Sequence, residues 1–387
     1  EARRLIVAGG SSLSTFVFPG KQARPVEETY IRPMTYRDKD GKTRNTWIGR
    51  SKTDDVTAIA PVEGTADIII SHVSGLLQKC RIEDSPTGRP QIRSICRYSH
   101  PGQTIQALDA ARSGILACAT SYSGGSVSIY QTSSPWAEPY SWRLQTRPWS
   151  IMLQPTAMKP QWLAVGHSGP EPLSLYTLGE SGLPVSTNGN ITLRGNDCST
   201  AVYGLTSPPL TSPIGNTRDT LLSGWYDGSV RVHDLRRQSK EPVIELVDPL
   251  ADSPVYSIAC GGGSGCTIAA GTARHGVIRV WDIRKATTSR KTGHSIFGPG
   301  KDSSPVYGLQ MEHDRLFGVT DRRAYMLEFG RGEHQKNIQG HVQAKEHHHN
   351  NSNGGRNPRG MHARQDERND GTLYYYRHSE MKLRHTA

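Results

Sequence analysis

Residues 268–285 read IAAGTARHGVIRVWDIRK, and this stretch decides the fold because the chain carries the same pattern 48 residues earlier. Residues 221–236 read LLSGWYDGSVRVHDLR, so that Gly228 aligns with Gly276 and the later aspartates align without a gap. Two short apolar runs flank a turn in each copy, and the Asp-Gly pair of the earlier copy is a strong signal for a tight β-hairpin. Both segments are therefore copies of one β unit.

A second shared phrase precedes each hairpin and sets the spacing of the repeat. It reads AVYGL at 201–205, PVYSI at 254–258 and PVYGL at 305–309. Weaker copies replace its tyrosine by Trp149, Gln106 and Thr57, and the steps between successive positions along the chain are 49, 43, 54, 53 and 51 residues. Near the start, LIVAGGSSLSTFVF is typical of the back half of one further unit. The sequence therefore predicts six full copies and one partial copy.

Repeats of roughly 40–45 residues with four short strands each are typical of β-propeller blades, and about seven blades close a ring without long free edges. We therefore predict an all-β, seven-bladed propeller over residues 1–330. Its first blade is expected to be incomplete and to lack the innermost strand, because no V-Y phrase precedes LIVAGG. The 40 glycines and 24 prolines suit a fold with many tight turns.

Residues 331–387 have a different composition from the repeats. They include HHHNNSNGGRNPRG, a low-complexity stretch almost without apolar residues, which predicts a disordered, basic, His-rich tail. The later segment GTLYYYRHSEMKLRH predicts a possible strand near 371–377. That strand either closes a blade from outside or serves as a short docking segment.

Three motifs carry a resemblance to a known family: GVIRVWDIR at 276–284, SPVY at 253–256 and again at 304–307, and AYMLEF at 324–329. The chain resembles WD-repeat proteins, and from about residue 201 to 329 it is similar to the C-terminal repeats of dactylin-type F-box/WD-repeat proteins. This resemblance implies a seven-bladed WD-repeat propeller that recognises substrates for an SCF-type, cullin-RING ubiquitin ligase. In that family an N-terminal F-box binds a Skp-type adaptor, and the propeller presents the protein substrate.

No F-box pattern precedes the first strand, so we expect adaptor and cullin binding to be missing from residues 1–387. An upstream segment of the L-P-x-x-[IVL] type would favour the ligase role. The alternative function is a WD-repeat scaffold without an adaptor, in a nuclear or cytoplasmic complex that includes RNA or chromatin. The net charge of +11 keeps that alternative open, but the last 58 residues hold ten Lys/Arg against six Asp/Glu, and neither part of the chain shows a dense basic patch.

The repeats depart from the buried polar network that the resemblance implies for WD blades. One blade offers Ser223 and Asp227 but has His233 in place of the tryptophan, and the next has Trp281 but His275 in place of the aspartate. We therefore expect these blades to depend more on apolar packing and strand pairing.

The repeat register places four aromatic residues at equivalent points just after the loop that enters each innermost strand. In a propeller these points meet on one face, around the mouth of the channel. The rings either fill the spaces between blades or supply the rigid anchors that a binding surface needs. Two further aromatics on a hairpin are expected to be exposed, and basic residues at comparable turns to form a rim. The predicted partner-binding residues are Trp149, Tyr203, Tyr256, Tyr307, Trp225, Tyr226, His275, Arg274 and Arg322, with Arg323 and Arg112 as further rim positions.

No catalytic, cofactor or metal site is predicted. The glycine run at 261–265 lacks a following Lys-Ser or Lys-Thr, GHSG at 166–169 continues into Pro170, and His347–His349 in a flexible tail have no fixed geometry. Six scattered cysteines without a C-x-x-C pair indicate reduced thiols that are mostly buried in strands. No apolar run near 18 residues is present, so no membrane partner is expected, and the predicted location is the cytoplasm, the nucleus or both.

Overall fold

The structure, a computed structural model, is built from β-strands. It describes residues 3–10, 12–18, 26–31, 35–37, 43–45, 47–48, 52–62, 64–83, 91–99, 103–121, 124–155, 159–188, 191–193, 200–237, 239–248, 253–285, 293–298, 303–321, 323–329 and 373–377. A 3-10 turn lies at Ile283–Lys285, directly after the strand Val277–Asp282.

The first strands form one three-stranded antiparallel sheet and two small hairpins. The sheet has the order β1 (Arg3–Gly9), β2 (Ser12–Phe18) and β3 (Val26–Ile31). The hairpins pair β4 (Thr35–Arg37) with β5 (Thr43–Asn45) and β6 (Trp47–Ile48) with β7 (Lys52–Thr53).

The remaining strands follow one another in groups of four. The second group is β8 (Val56–Pro61), β9 (Asp67–His72), β10 (Leu77–Glu83) and β11 (Gln91–Arg97), and the third is β12 (Ile105–Ala110), β13 (Ile115–Thr120), β14 (Ser126–Gln131) and β15 (Tyr140–Arg143). The fourth is β16 (Pro148–Leu153), β17 (Trp162–Gly169), β18 (Leu173–Thr177) and β19 (Ile191–Leu193), and the fifth is β20 (Thr200–Thr206), β21 (Thr220–Trp225), β22 (Val230–Asp234) and β23 (Ile244–Leu246).

The last two groups complete the series. The sixth is β24 (Val255–Gly261), β25 (Thr267–Thr272), β26 (Val277–Asp282) and β27 (His294–Phe297), and the seventh is β28 (Gly308–Glu312), β29 (Arg315–Val319), β30 (Ala324–Glu328) and β31 (Leu373–Arg377). All neighbours in these sheets are antiparallel except β31, which lies parallel to β30. The division of the chain into a propeller at 1–330 and a tail stays a prediction, and the tail histidines lie outside the described residues.

The second strand of each group forms the centre of the core. β9, β13 and β21 are buried at every position, because inner and outer strands flank them and neighbouring sheets cover both faces. The outer strand β11 instead alternates exposed with partly buried residues, as expected of a strand with one wet face. The apolar runs that follow each V-Y phrase are therefore the most buried segments of the fold.

Successive sheets pack face to face through apolar clusters. Ile129 of the third group and Leu163 of the fourth share one such cluster, and Val232 of the fifth and Ile268 of the sixth share another. Phe16 of the first sheet packs with Phe317 and Met326 of the last, so the two ends of the series meet. The predicted all-β propeller is confirmed.

The number of blades stays a prediction. Two residues of β17 also pair with β20, which joins the fourth and fifth groups into one eight-stranded sheet. The first group has three strands within the described residues, where the sequence predicts a blade without its innermost strand. The backbone hydrogen bonds to the next group support the prediction, because β1 is bonded as a second strand is. Val56 donates a 2.9 Å hydrogen bond to the carbonyl of Gly10, which follows β1. In the same way Val306 donates a 3.0 Å hydrogen bond to Thr272, the last residue of the second strand β25.

Neighbouring inner strands are joined by buried serine hydroxyls. The Ser150 hydroxyl donates to the Val202 carbonyl at 3.1 Å, and the Ser257 hydroxyl donates to the Val306 carbonyl at 2.7 Å. A glycine of the adjacent second strand makes room for each contact. A Cβ atom on Gly166 would lie 2.5 Å from the Val202 carbonyl oxygen, far closer than real contacts allow.

The cysteine prediction holds for the five described cysteines. All of them are free thiols, of which Cys80, Cys118, Cys260 and Cys266 are buried and Cys96 is partly buried. Burial raises the pKa of the Cys118 thiol well above its usual range, which keeps it protonated and unreactive.

Candidate protein interface

The repeated aromatic position lies at a β-bulge near the start of the inner strands. The register of pairing between first and second strand shifts at this point in five of the groups, and the residues concerned are Thr57, Gln106, Trp149, Tyr203 and Tyr256. A bulged residue is left out of the ladder, and its side chain is turned away from the regular pleat. The bulge therefore directs each of these side chains toward the end of the strands where the inner strand begins.

Trp149, Tyr203, Tyr256 and Tyr307 form one continuous surface, which we call the aromatic arc. The ring centroids of Trp149 and Tyr203 are 4.9 Å apart in an edge-to-face arrangement. Tyr203 and Tyr256 are 4.9 Å apart, and Tyr256 and Tyr307 are 6.1 Å apart. Trp149 and Tyr307 are 158 positions apart in the sequence. The repeat nevertheless brings the four residues into a chain of contacts, as its register predicts.

The rings of the arc are packed against one another but are not buried in the core. Tyr307 is 57% exposed, and the other three rings are partly exposed. Tyr226, from the hairpin between β21 and β22, lies 6.1 Å from Tyr203 and is 53% exposed, as predicted. The arc therefore has features of both interpretations of the sequence, packing between blades and exposure as anchors. The rings fill space between neighbouring inner strands, and one side of the arc faces solvent. That a partner binds there stays a prediction.

The phenol groups of the arc are electrostatically coupled. Burial raises the pKa of Tyr203, the neighbouring phenols of Tyr256 and Tyr226 raise it further, and the nearby Arg147 guanidinium lowers it. Burial also raises the pKa of Tyr307, together with the Asp321 carboxylate. The phenols of Tyr203 and Tyr307 therefore stay neutral at physiological pH and offer hydroxyl groups that both donate and accept hydrogen bonds.

Arg147 was not among the predicted site residues, yet it lies directly on the arc. Its guanidinium carbon is 4.0 Å from the centroid of the Trp149 ring, which is a cation-π distance. Its Nη2 donates a 3.0 Å hydrogen bond to the side-chain oxygen of Gln106. The sequence signal was a charged residue two positions before the aromatic, where the sixth and seventh groups have Pro254 and Pro305.

The predicted exposure of Trp225 is wrong. Its side chain is fully buried, because Trp225 is the last residue of β21 and the turn begins only after it. The indole nitrogen donates a 2.7 Å hydrogen bond to the Ser223 hydroxyl, and the guanidinium carbon of Arg231 lies 4.3 Å from the ring centroid. Trp225 therefore stabilises the hairpin from inside and does not face a partner.

Arg231 connects this tryptophan to the turn and to the outer strand. The side chain is 3% exposed and donates to Asp227 at 2.8 Å and to Glu245 at 2.7 Å. Asp227 also accepts the Ser229 backbone N–H at 3.0 Å, which fixes the turn, and Gly228 has the left-handed φ of 82° that the turn requires. A buried polar network is thus present in this hairpin, built on Arg231 instead of a tryptophan in the third strand.

Only some of the residues predicted for the basic rim lie at the same end of the strands as the arc. Arg274 and His275 are exposed in the turn between β25 and β26, at the same end of the strands as the arc. His275 has a φ of 59° and Gly276 also has 59°, as a two-residue type I′ hairpin turn requires. Arg322 lies outside the described residues. Arg112 does not belong to the rim, because it lies in the turn between first and second strands, at the opposite end of the sheet.

The described residues contain no cluster of three or more His, Cys, Asp or Glu side chains that could hold a metal ion. In the described part of the chain, no helix is long and apolar enough to cross a membrane. The glycine run at 261–265 is a turn between β24 and β25, since the Gly265 N–H donates to the Gly262 carbonyl at 3.0 Å.

Comparison with solved structures identifies the fold. Over 82% of the chain it superposes on 78% of Sqt1 from Chaetomium thermophilum, a structure solved bound to the N-terminus of the ribosomal protein L10, with a TM-score of 0.55 and 16% identity. Over 83% of the chain it superposes on 85% of U3-55K, with a TM-score of 0.54 and 12% identity. Together with the antiparallel pairing of β8 to β30 within their sheets, this likeness shows that the chain has the fold of a WD-repeat β-propeller.

Sequence comparison finds two curated proteins that are similar to part of the chain. The chain is 33% identical over 111 residues to the human F-box/WD repeat-containing protein 4 and 32% identical over 111 residues to its mouse counterpart. The match covers 28% of this chain and 25% of the human protein, so the chain spans about a quarter of the length of the curated relatives it matches. No family model matches the chain.

Proposed function

We propose that this chain is the substrate-holding propeller of an F-box/WD-repeat ubiquitin-ligase receptor, and that it holds an extended segment of a client protein across the aromatic arc. The observation that carries this proposal is the arc itself. A row of four aromatic rings, with the exposed Tyr226 beside it, is the kind of surface on which binding energy concentrates.

The arc is suited to binding because it is already in place. Its rings are fixed by contacts with each other, and the indole nitrogen of Trp149 donates a 2.7 Å hydrogen bond to the Ser168 hydroxyl. Because the rings are already fixed, they lose little conformational entropy when a partner packs against them. Tyrosine also offers an apolar ring and a polar hydroxyl together, which suits contact with both the backbone and the side chains of a peptide.

The assignment to the F-box group is supported by the 33% identity to the human F-box/WD repeat-containing protein 4. The phrases that carry the resemblance in this chain include the V-Y openings at Tyr256 and Tyr307, which are themselves members of the arc. Adaptor and cullin contacts would come from another part of the natural protein, and the chemistry of ubiquitin transfer from partner subunits.

The test compares the natural full-length protein, wild type and Tyr256→Ala/Tyr307→Ala, in affinity purification after proteasome inhibition. We expect both forms to capture a Skp-type adaptor and a cullin equally, whereas proteins that accumulate on the wild type are lost from the variant. Leu210→Ala is the matched control, since Leu210 is 73% exposed but lies in the loop between β20 and β21, at the opposite end of the strands.

Two results would contradict the proposal. If the full-length wild type captures neither adaptor nor cullin, the ligase role fails. If the variant retains every client while Leu210→Ala loses them, the arc is not the binding surface. Residues 1–387 alone should hold clients without an adaptor.

A second candidate function is an adaptor-independent scaffold that holds a terminal segment of a client. The solved likeness to Sqt1 bound to the N-terminus of the ribosomal protein L10 supports it, because that propeller also takes a protein segment. It predicts the same dependence on Tyr256 and Tyr307, with no adaptor or cullin in any purification of the full-length protein.

A further inference from the structure

Arg147 gives one end of the aromatic arc a charge that the rest of the arc lacks. Among the described residues, it is the one cation stacked on an arc ring. The equivalent positions in the other groups, two residues before the repeated site, are Asp55, Thr104, Ala201, Pro254 and Pro305. The Arg147 side chain is exposed, and no ion pair joins it to a carboxylate within the described part of the chain.

The guanidinium is held in one orientation from two sides. Its central carbon lies over the Trp149 ring, and its Nη2 donates a hydrogen bond to Gln106, whose amide in turn donates to the Ser121 hydroxyl at 3.3 Å. Rotation about the long side chain is therefore restricted before any partner arrives. Much of the entropy that an exposed arginine loses on binding has already been lost in the free protein.

Ser168 holds the two members of this pair together. Its backbone N–H donates to the Arg147 carbonyl at 3.1 Å, and its hydroxyl accepts from the Trp149 indole at 2.7 Å. One residue of the neighbouring strand thus fixes both the backbone of the arginine and the ring beneath its guanidinium. This is the arrangement of a prepared site, not of a solvated surface charge.

The remaining donors define what can bind. A guanidinium has five N–H donors in a planar fork, and among the described residues the guanidinium of Arg147 makes a single hydrogen bond, to Gln106. A carboxylate matches that fork with two parallel hydrogen bonds, and stacking on an aromatic ring leaves the edge of the fork free. A single guanidinium balances the single charge of a carboxylate, whereas a phosphorylated side chain brings close to two charges and is typically met by an arginine cluster.

We propose that Arg147, stacked on Trp149 and oriented by Gln106, is the carboxylate-binding position of the arc, and that it selects client segments with an acidic side chain next to the residue that packs on Trp149 and Tyr203. This inference rests on the proposed function, because it names the chemistry of the segment that the arc holds. The specificity would come from charge at one end of the arc and from apolar contact along the rest.

The test uses residues 1–387 and pools of immobilised peptides. Each pool has one fixed central residue, which is Glu, Gln, Lys or phosphoserine, and randomised flanks without Asp or Glu. We expect the protein to be retained by the Glu pool roughly fivefold better than by the Gln pool, as befits one charge-assisted contact at a partly exposed site. Arg147→Gln should bring retention by the Glu and Gln pools to the same level.

Two further variants test whether the planar guanidinium of Arg147, and not only a positive charge, produces the preference for Glu. Arg147→Lys keeps the charge but loses the planar fork, so it should retain only part of the preference for Glu. Arg218→Gln is the matched control, because Arg218 is an exposed arginine in the loop between β20 and β21 at the other end of the strands, and its preference should equal that of the wild type.

The possible outcomes distinguish this inference from the function on which it rests. Retention of all pools without preference, lost in Tyr256→Ala, would overturn the carboxylate site and leave the arc as a binding surface. A phosphoserine pool retained well above the Glu pool would overturn the choice of a carboxylate. No retention of any pool would contradict both, and an Arg147→Gln variant that keeps the preference for Glu would show that another residue supplies it.

Discussion

Replacing Gly166 with alanine tests how closely neighbouring blades approach one another. The new methyl group would lie 2.5 Å from the Val202 carbonyl oxygen and 2.8 Å from Val202 Cγ1, and it would also meet the Ser150 hydroxyl. A contact between carbon and a carbonyl oxygen normally needs more than 3 Å, so β17 of the fourth group and the inner strand β20 of the fifth must move apart by several tenths of an ångström or more. That movement also stretches the 3.1 Å hydrogen bond from Ser150 to Val202.

The magnitude follows from these contacts. Overpacking a well-packed interior costs about 1–3 kcal/mol, and weakening a buried hydrogen bond costs roughly 1 kcal/mol. The reduced freedom of the unfolded chain returns about 0.5–1 kcal/mol. The net loss should therefore be about 1–3.5 kcal/mol in the free energy of unfolding, or several degrees in the midpoint of thermal unfolding.

Differential scanning calorimetry and urea unfolding of residues 1–387 would measure this loss. Gly308→Ala is the matched control, because no atom lies within 4 Å of the Cβ position at this inner-strand glycine. Alanine there should be neutral or slightly stabilising. If Gly166→Ala is as stable as the wild type, or if both variants lose stability equally, β17 and β20 do not approach each other as closely as the structure shows.

Two further predictions concern stability. Arg231→Met should lower the free energy of unfolding by about 1–2 kcal/mol, because it leaves the partly exposed carboxylates of Asp227 and Glu245 without their shared cation. Urea unfolding measures this loss, and an unchanged urea midpoint would contradict the prediction. Burial lowers the pKa of His72 and of His167 below the usual value of 6.5, so the unfolded chain takes up protons first on acidification. Their contribution to stability should be complete above about pH 6.5 and be lost as the pH falls toward the folded-state pKa, and a urea midpoint that stays constant from pH 7.5 to 5 would contradict it.

The sequence predicted the fold and the membership of the arc because both follow from repetition. A tyrosine or tryptophan that recurs after the same phrase must occupy the same place in each blade, and closing the ring then brings Trp149, Tyr203, Tyr256 and Tyr307 together. The reason why they point to one end could not be predicted. A β-bulge of one residue leaves no pattern in the alternation of so short a strand.

The predicted positions of Trp225 and Arg112 were wrong for local reasons. Trp225 was expected to belong to the turn, but the strand β21 continues through it. Arg112 was assigned to the rim without regard to which end of the strands its turn occupies. Arg147 was missed because its importance depends on contacts with Gln106 and Trp149 from different blades, and single-sequence periodicity carries no information about such contacts.

Site-specific photocrosslinking tests the central claim, that the aromatic arc is the surface that holds a client. A photoreactive phenylalanine analogue placed at Tyr307 or Tyr226 keeps an aromatic ring at positions that are 57% and 53% exposed, so the fold is not at risk. The same analogue at Leu210, 73% exposed at the opposite end of the strands, serves as the control. The account predicts that retained peptides, or clients of the full-length protein, crosslink from positions 307 and 226 and not from 210. Crosslinks from 210 alone would contradict it.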